Sequence, residues 1–422
     1  MYRFSYLLIA SSLAISLAGI PCAAAVSLSK DQAIALALSQ NKSLEAARMT
    51  IEQAEADWEH EGTWDDPELL IDYSNDWLFN DEGETAFGIG FRQRFPVTNR
   101  LRLIKDIAEV EIELARSEVR NAERLIVREI EVAFNDWAHL RTQLDLRKEL
   151  LELNASFAAF VDSRIDRAEA SPLDANRIKI ERFAIEQEAE RFENRLALKL
   201  SEIRKLLGME IDQPLEIEYG FDGLGQSPRM PQLDEAALSS HPQIQMSERL
   251  IEIAEMETEV AHVSRWKDIS VDVGFESERS MDAPLGIESS RFFGVSVVIP
   301  LPLRHKHEPI ERERLSRLAQ RRVESEALSI AIRTEAESLR QQARRLHEQA
   351  NRYEATMTQL VDQAYEDMRT AYAAGQVNLS EVFQAQEKRL EVQSQRLDRI
   401  YEYKQVLVEW DATTGQNLEG TR

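Results

Sequence analysis

The chain has 422 residues, 30% of them charged, a formal net charge of −24 and a mean hydropathy of −0.41. That acidic balance excludes nucleic acid as a partner, since nucleic acid needs a basic footprint. It suits either cationic partners or plain acidic helices facing water. Cys22 is the only cysteine, which excludes an internal disulfide and a cysteine-based metal site.

Residues 1–25 read as a signal peptide: Arg3 gives the positive start, Phe4 to Ile20 is apolar or small, and Ala23-Ala24-Ala25 offers a cleavage site before Val26. Acylation of Cys22 is the other reading of this segment, although Pro21 fits the lipoprotein peptidase poorly. No later apolar run approaches the roughly 20 residues of a spanning helix. An exported chain of that kind is periplasmic, secreted, or part of an outer-membrane β-barrel.

The remaining elements come in two similar sets. A first helix is expected from about Lys30 to Gly62. Two alternating segments follow, 68–76 with Leu69, Ile71 and Tyr73 on one face, and 85–95 with Phe87, Ile89, Phe91 and Phe95 on one face. Leu70 breaks the alternation. Residues near 98–168 contain neither Pro nor Gly and predict one long helix, stopping at a tip near 168–172. At the tip, Ser171, Pro172 and Asp174 read as N-cap, N1 and N3 of the returning helix. Ala184, Ala189 and Ala197 there permit close helix approach. The first repeat thus spans 26–207, and a Gly- and Pro-rich connector spans 208–231.

The second repeat, 232–416, runs through the same order before a short tail at 417–422. Its helix covers about Leu233 to Trp266, its alternating segments are 268–276 and 291–299, and its long helix, 309–374, ends at a tip near 375–379. Trp64-Asp65-Asp66 matches Trp266-Lys267-Asp268, Pro96 matches Pro300, Ser171 matches Asn378 and Gly208 matches Gly415. Gly375 supplies a helix stop, and Asn378 with Glu381 has capping-box spacing.

An ordinary half-buried sheet on a helical core is one reading of the four alternating segments. Their length, their charged second faces and the long helices favour outer-membrane strands, with Arg92, Arg94, Asp268 and Asp272 turned to a water-filled lumen. Four strands cannot close a barrel, for which about eight is the usual minimum, and open edges are not tolerated in lipid. Several chains must therefore share one barrel; three copies make twelve strands, and two copies remain arithmetically open.

These features together resemble the TolC family of outer-membrane efflux proteins, in particular its CzcC-like heavy-metal branch. The resemblance rests on Arg369-x-x-Tyr372-x-x-Gly375 before one tip, Ser171-Pro172-Leu173-Asp174-Ala175-Asn176-Arg177 at the other, His241-Pro242, Gln93-Arg94-Phe95-Pro96 and the duplicated order. It implies a mainly α chain with a small β component, built from duplicated strand-strand-helix-helix halves. It implies a homotrimer whose 12-stranded barrel crosses the outer-membrane lipid and continues as a 12-helix periplasmic α-barrel. A periplasmic adaptor protein and an inner-membrane pump of the resistance-nodulation-division type would dock below. By the same resemblance Ser171, Pro172, Arg369, Tyr372 and Gly375 would meet the adaptor. Asp174 and Glu381 would narrow the periplasmic aperture as a ring favouring cations; simple helix capping is the alternative role. The family's second acidic position falls here on Gln384, paired in the repeat with Arg177.

No nucleophile–base pair or phosphate loop is present, so no enzyme activity and no cofactor are expected. His305 and His307, just after the last strand, are the only metal-ligand candidates, and a polar turn set by Pro300, Pro302 and Pro309 is the plainer reading of them. The expected function is a passive exit duct, most specifically for metal cations. A duct for organic drugs, a periplasmic coiled-coil structural or adaptor-like protein, and a metal-sequestering protein are the alternatives.

Overall fold

A computed structural model describes residues 26–78, 83–167, 171–220, 238–282, 286–302 and 307–416. The expected signal peptide, most of the connector beyond residue 220 and the C-terminal tail lie outside the described residues, as do His305 and the first tip at 168–170.

The first repeat opens with a short strand β1 (Val26–Leu28), which pairs in parallel with β4 (Leu215–Ile217). The single helix expected over Lys30–Gly62 is two helices, α1 (Lys30–Gln40) and α2 (Lys42–His60). Asn41 breaks it. Its backbone is extended and its Oδ1 accepts the N–H groups of Ser43 and Leu44, capping α2, while its Nδ2 donates to the Leu206 carbonyl at 2.8 Å. The side chain offers the backbone a better partner than the next helical turn, which is why Asn favours caps over helix interiors.

Next come β2 (Glu68–Asn75) and β3 (Thr85–Phe95), then α3 (Arg100–Ile165), 66 residues without a break. At 1.5 Å per residue α3 is about 100 Å long. α4 (Pro172–Leu206) returns alongside it. Their seam holds Leu144, Ala189 and Leu196. Of the three alanines expected there only Ala189 is buried; Ala184 and Ala197 face solvent.

The second repeat contains α5 (Pro242–Val263), β5 (Ile269–Asp282), β6 (Gly286–Val298), α6 (His307–Arg352), a π-helical turn (Tyr353–Met357), α7 (Thr358–Ala373) and α8 (Leu379–Thr414). α5 begins after His241 as N-cap; Leu238 and Ser239 before it are also helical, and the earlier part of the expected helix, from about Leu233, lies outside the described residues. β5 and β6 extend past the apolar alternation, because antiparallel pairing continues from Ser277↔Arg291 to Asp282↔Gly286 through pairs that are polar except Met281↔Ile287.

The long helix expected over 309–374 is interrupted by the π turn. In α3 a buried or half-buried side chain recurs every seventh residue: Val119, Ile126, Ala133, Leu140, Arg147, Asn154 and Val161. In α6 the same period gives Ala336, Ala343 and Ala350, but Tyr365 and Tyr372 follow one residue out of step. The π turn absorbs that residue, with the Thr358 N–H reaching back to the Tyr353 carbonyl.

The four longer strands form one antiparallel sheet in the order β2-β3-β5-β6, leaving β2 and β6 with open edges. In the helical layer α4 packs on α3, α3 on α8, and α8 on both α6 and α7. α4 and the α6–α7 rod therefore stand at opposite edges. The largest core lies at mid-height, where Phe134, Ile130 and Leu207 pack with α1, α2 and β4.

The duplication recurs as a joint in each half. Gly208 ends α4 with φ +70°, and a Cβ there would lie 2.5 Å from the Gln40 carbonyl oxygen. Gly415 ends α8 with φ +77°, and a Cβ there would lie 3.1 Å from the His241 ring. His241 in the second half thus stands where Asn41 stands in the first.

Candidate functional site

Two regions carry the unusual chemistry: the helical tips and the sheet. At the second tip α7 ends in a Schellman arrangement. Gly375 has φ +73°, its N–H bonds the Tyr372 carbonyl at 2.9 Å, and the Gln376 N–H bonds the Ala371 carbonyl at 2.9 Å. Asn378 caps α8, accepting from the Glu381 N–H at 3.2 Å, and its Nδ2 lies 3.4 Å from Glu381 Oε1. At the first tip Ser171 caps α4 by accepting from the Leu173 N–H at 3.2 Å, with exposed Pro172 at N1.

The tips are tied to each other. Tyr372 is only 7% exposed, packed among Phe157, Val161, Ile178, Leu379 and Val382. Its hydroxyl hydrogen-bonds Asp174 at the start of α4. Burial, then the Asp174 charge, hold the Tyr372 phenol above its ordinary pKa, against the nearby Arg164 guanidinium. Arg164 on α3 donates to the Tyr372 and Ala373 carbonyls at 3.0 and 3.2 Å, satisfying the C-terminal end of α7. Arg389 on α8 adds a second tie, donating to Asp362 on α7 at 2.6 Å and to Glu149 on α3 at 3.1 Å.

Asp174 is followed on α4 at seven-residue spacing by Glu181 and Glu188. Burial, then the charges of Glu387 and Glu188, raise the Glu181 carboxyl above its ordinary value. The acidic character therefore continues above the tip rather than stopping at one ring.

Of the expected contact residues, Arg369 is half-buried and reaches Glu366 at 3.3 Å. Ser171, Pro172 and Gly375 are exposed. Tyr372 is buried, so it shapes the tip from inside rather than offering an outer contact. Arg164 and Arg389 were not singled out by sequence. Arg389 had one available signal, its repeat match to Arg182 at the offset that aligns the tips. Arg164 had none, because its partner is backbone.

The sheet has one apolar exposed face, including Leu69, Ile71, Tyr73, Phe91, Phe293, Val295 and Val297. The other face is polar. Arg92 makes a bidentate pair with Asp272 at 2.8 and 3.0 Å, Arg94 reaches Glu68 at 2.8 Å, and Asp268 at the foot of β5 pairs with Arg100 at 2.8 Å. All four residues expected in the lumen thus share the polar side, and all four are ion-paired. His307 is the first described residue of α6; His305 lies outside the described residues. Among the described residues no three His, Cys, Asp or Glu side chains are grouped to hold a metal, and no helix is long and apolar enough to cross a membrane.

This combination of a two-faced open sheet and a rod of long paired helices is the fold of the outer-membrane channel proteins. A family model described as outer membrane efflux protein matches residues 33–209. Among solved structures, the channel protein CusC aligns with a TM-score of 0.74 and 16% identity over 91% of each chain. The outer membrane protein VceC of Vibrio cholerae aligns with a TM-score of 0.71 and 15% identity, over 92% of this chain and 96% of its own. The CmeC outer membrane channel of Campylobacter jejuni aligns with a TM-score of 0.71 and 13% identity, over 93% of this chain and 89% of its own. No curated protein sequence matches. The resemblance drawn from the tip motifs therefore holds for the outer membrane efflux protein family in sequence over the first repeat, and in fold over most of the chain.

Proposed function

We propose that this chain is one third of a homotrimeric outer-membrane duct, a passive exit for substrates delivered by an inner-membrane pump of the resistance-nodulation-division type and a periplasmic adaptor. The observation that carries this reading is the sheet. Its apolar face suits lipid and its ion-paired face suits water, but β2 and β6 each leave one edge unpaired among the described residues. Lipid forbids such edges, and joining β6 of one copy to β2 of the next removes them. Three copies give twelve strands, within the range of known barrels.

The helical edges support the same closure. Leu173, Ile180 and Phe183 are exposed on α4, and Met368, Leu360 and Met357 on the opposite edge. Rising from the tip, the two sets are spaced nearly alike, as antiparallel neighbours from adjacent copies require. The domain reading follows: residues 1–25 direct export, 26–207 and 232–416 each supply two strands and one hairpin, and 208–231 joins them.

In this reading the adaptor meets the exposed tip residues Ser171, Pro172 and Gly375, with the half-buried Arg369 beside them. The Asp174–Tyr372 bond and the Arg164 cap hold the tips together, and Asp174, Glu181 and Glu381 make the approach acidic. The resemblance to the CzcC-like branch and the net charge favour metal cations as the cargo; organic drugs are the competing cargo. The duct requires recovery in the outer-membrane fraction, a mass of three chains after detergent extraction, and conductance in planar bilayers. Recovery in the periplasmic fraction without detergent would instead establish the coiled-coil structural or adaptor-like role.

A further inference from the structure

On the polar side of the sheet, three rows of side chains lie across the strands. The middle row is Leu70, Gly90, Gly274 and Gly294 in register. The row below it is Glu68, Arg92, Asp272 and Ser296, closed by the ion pairs already described. The row above is Asp72, Gly88, Glu276 and Phe292. The result is a groove of about 450 Å³. Its floor is bare backbone: a Cβ on Gly90 would lie 3.0 Å from the Val273 carbonyl oxygen, and one on Gly274 would lie 3.2 Å from that of Ile89.

Leu70 and Phe292, at opposite flanks, are the large apolar side chains of these three rows, whose other members are charged, small or glycine residues. Phe292 is 51% exposed. Asp72 leans over Gly88, whose Cβ position lies 3.5 Å from the Asp72 Cβ. Neither Asp72 nor Glu276 has a salt-bridge partner among the described residues, in contrast to Asp272 and Glu68 in the lower row.

We propose that this groove is a transit site for organic cations with an apolar aromatic body. The inference rests on the polar face being the lumen of the duct. A bare divalent metal ion is a poor fit, because it needs four or more converging donors, and the groove offers only two carboxylates without an ion-pair partner among the described residues, on either side of a backbone floor. An aromatic ring of such a cation lies against the glycine backbone between Phe292 and Leu70, and sets the charge toward Asp72 and Glu276. Binding in a conduit must also be weak enough to permit release, which the open groove satisfies.

The test uses the full-length protein in planar bilayers, with tetraphenylphosphonium and tetramethylammonium as probes. Tetraphenylphosphonium is expected to block the current at concentrations about tenfold lower than tetramethylammonium. Phe292→Ser and Glu276→Gln should each weaken that block by about tenfold. Gly294→Leu should abolish it by filling the groove, since a side chain at Gly294 meets nothing within 4 Å. Calorimetric titration of the detergent-extracted trimer with tetraphenylphosphonium gives a second readout, and each variant is first checked for trimer mass. Block that is equal for both cations, or unchanged by Phe292→Ser, overturns the groove while leaving the duct intact. Phe292-dependent binding by a protein that conducts no current overturns the duct and retains the groove.

Discussion

The first helical hairpin is regular where the second is interrupted. α3 keeps one seven-residue period from Val119 to Val161, while the second copy loses a residue of register between Ala350 and Tyr365 and takes it up in a π turn. The joints differ in the same sense. The first is closed by Asn41, whose amide satisfies two N–H groups and the Leu206 carbonyl. The second buries the His241 ring beside the Arg124 guanidinium. The two halves share one mechanical frame, and the second carries a π turn, a buried histidine at its joint and the tyrosine packed inside the tip.

The comparison is broken most severely by moving register. Deleting Asp145, an exposed residue of α3, slips every later seam position and should abolish trimer recovery, because a shift of one residue turns the apolar stripe off its partner. Deleting Thr356 from the π turn should instead restore the period and leave the thermal midpoint within a few degrees. Similar losses from both deletions would show that the two hairpins are equally constrained.

The joints come next. Gly208→Ala combines a positive φ with a collision against backbone and should cost about 3 kcal/mol. Gly415→Ala meets only the edge of the His241 ring and should cost about half as much. Guanidine unfolding of the two variants gives the order, and the reverse order would contradict the close approach at Gln40.

His241 makes the second joint sensitive to pH. Burial, then the Arg124 charge, push its pKa down from 6.5 to about 4. The unfolded chain therefore binds the proton first. Stability is full above about pH 6.5 and declines as pH falls toward 4, by about 3 kcal/mol. His241→Asn, which copies the first joint, should flatten that part of the profile; an unchanged slope would assign the acid sensitivity elsewhere.

At the tips, Tyr372→Phe removes the bond to Asp174 while keeping the ring in its cluster. We expect a stability loss of about 1 kcal/mol and a larger single-channel conductance, whereas Arg369→Ala should leave conductance unchanged. Glu381→Lys should have the smallest effect on stability and shift the reversal potential away from cation selectivity. Unaltered reversal potentials would confine Glu381 to its capping role.

Much of this was legible in the chain. The 85–95 strand is placed at its expected bounds, and Ser171 and Gly375 cap the helices as their residue types require. Those signals are local, carried by alternation, by a proline at N1 and by a glycine at positive φ. Asn41 and His241 were harder to read, because each breaks a helix through a distant contact: the end of α4 for Asn41 and the end of α8 for His241. Tyr372 looked like an outer contact by its motif, and the neighbouring helices bury it.

By itself the sequence determined the duplicated order, the two-faced strands and the long helices, because periodicity is a property of the chain alone. The tertiary structure decided which charges are spent on each other and which are left facing the groove. It also decided that the two tips are tied through Tyr372, and that the second hairpin carries a π turn. These depend on which helix lies beside which, and residues some 200 positions apart reveal their pairing only when the two repeats are folded together.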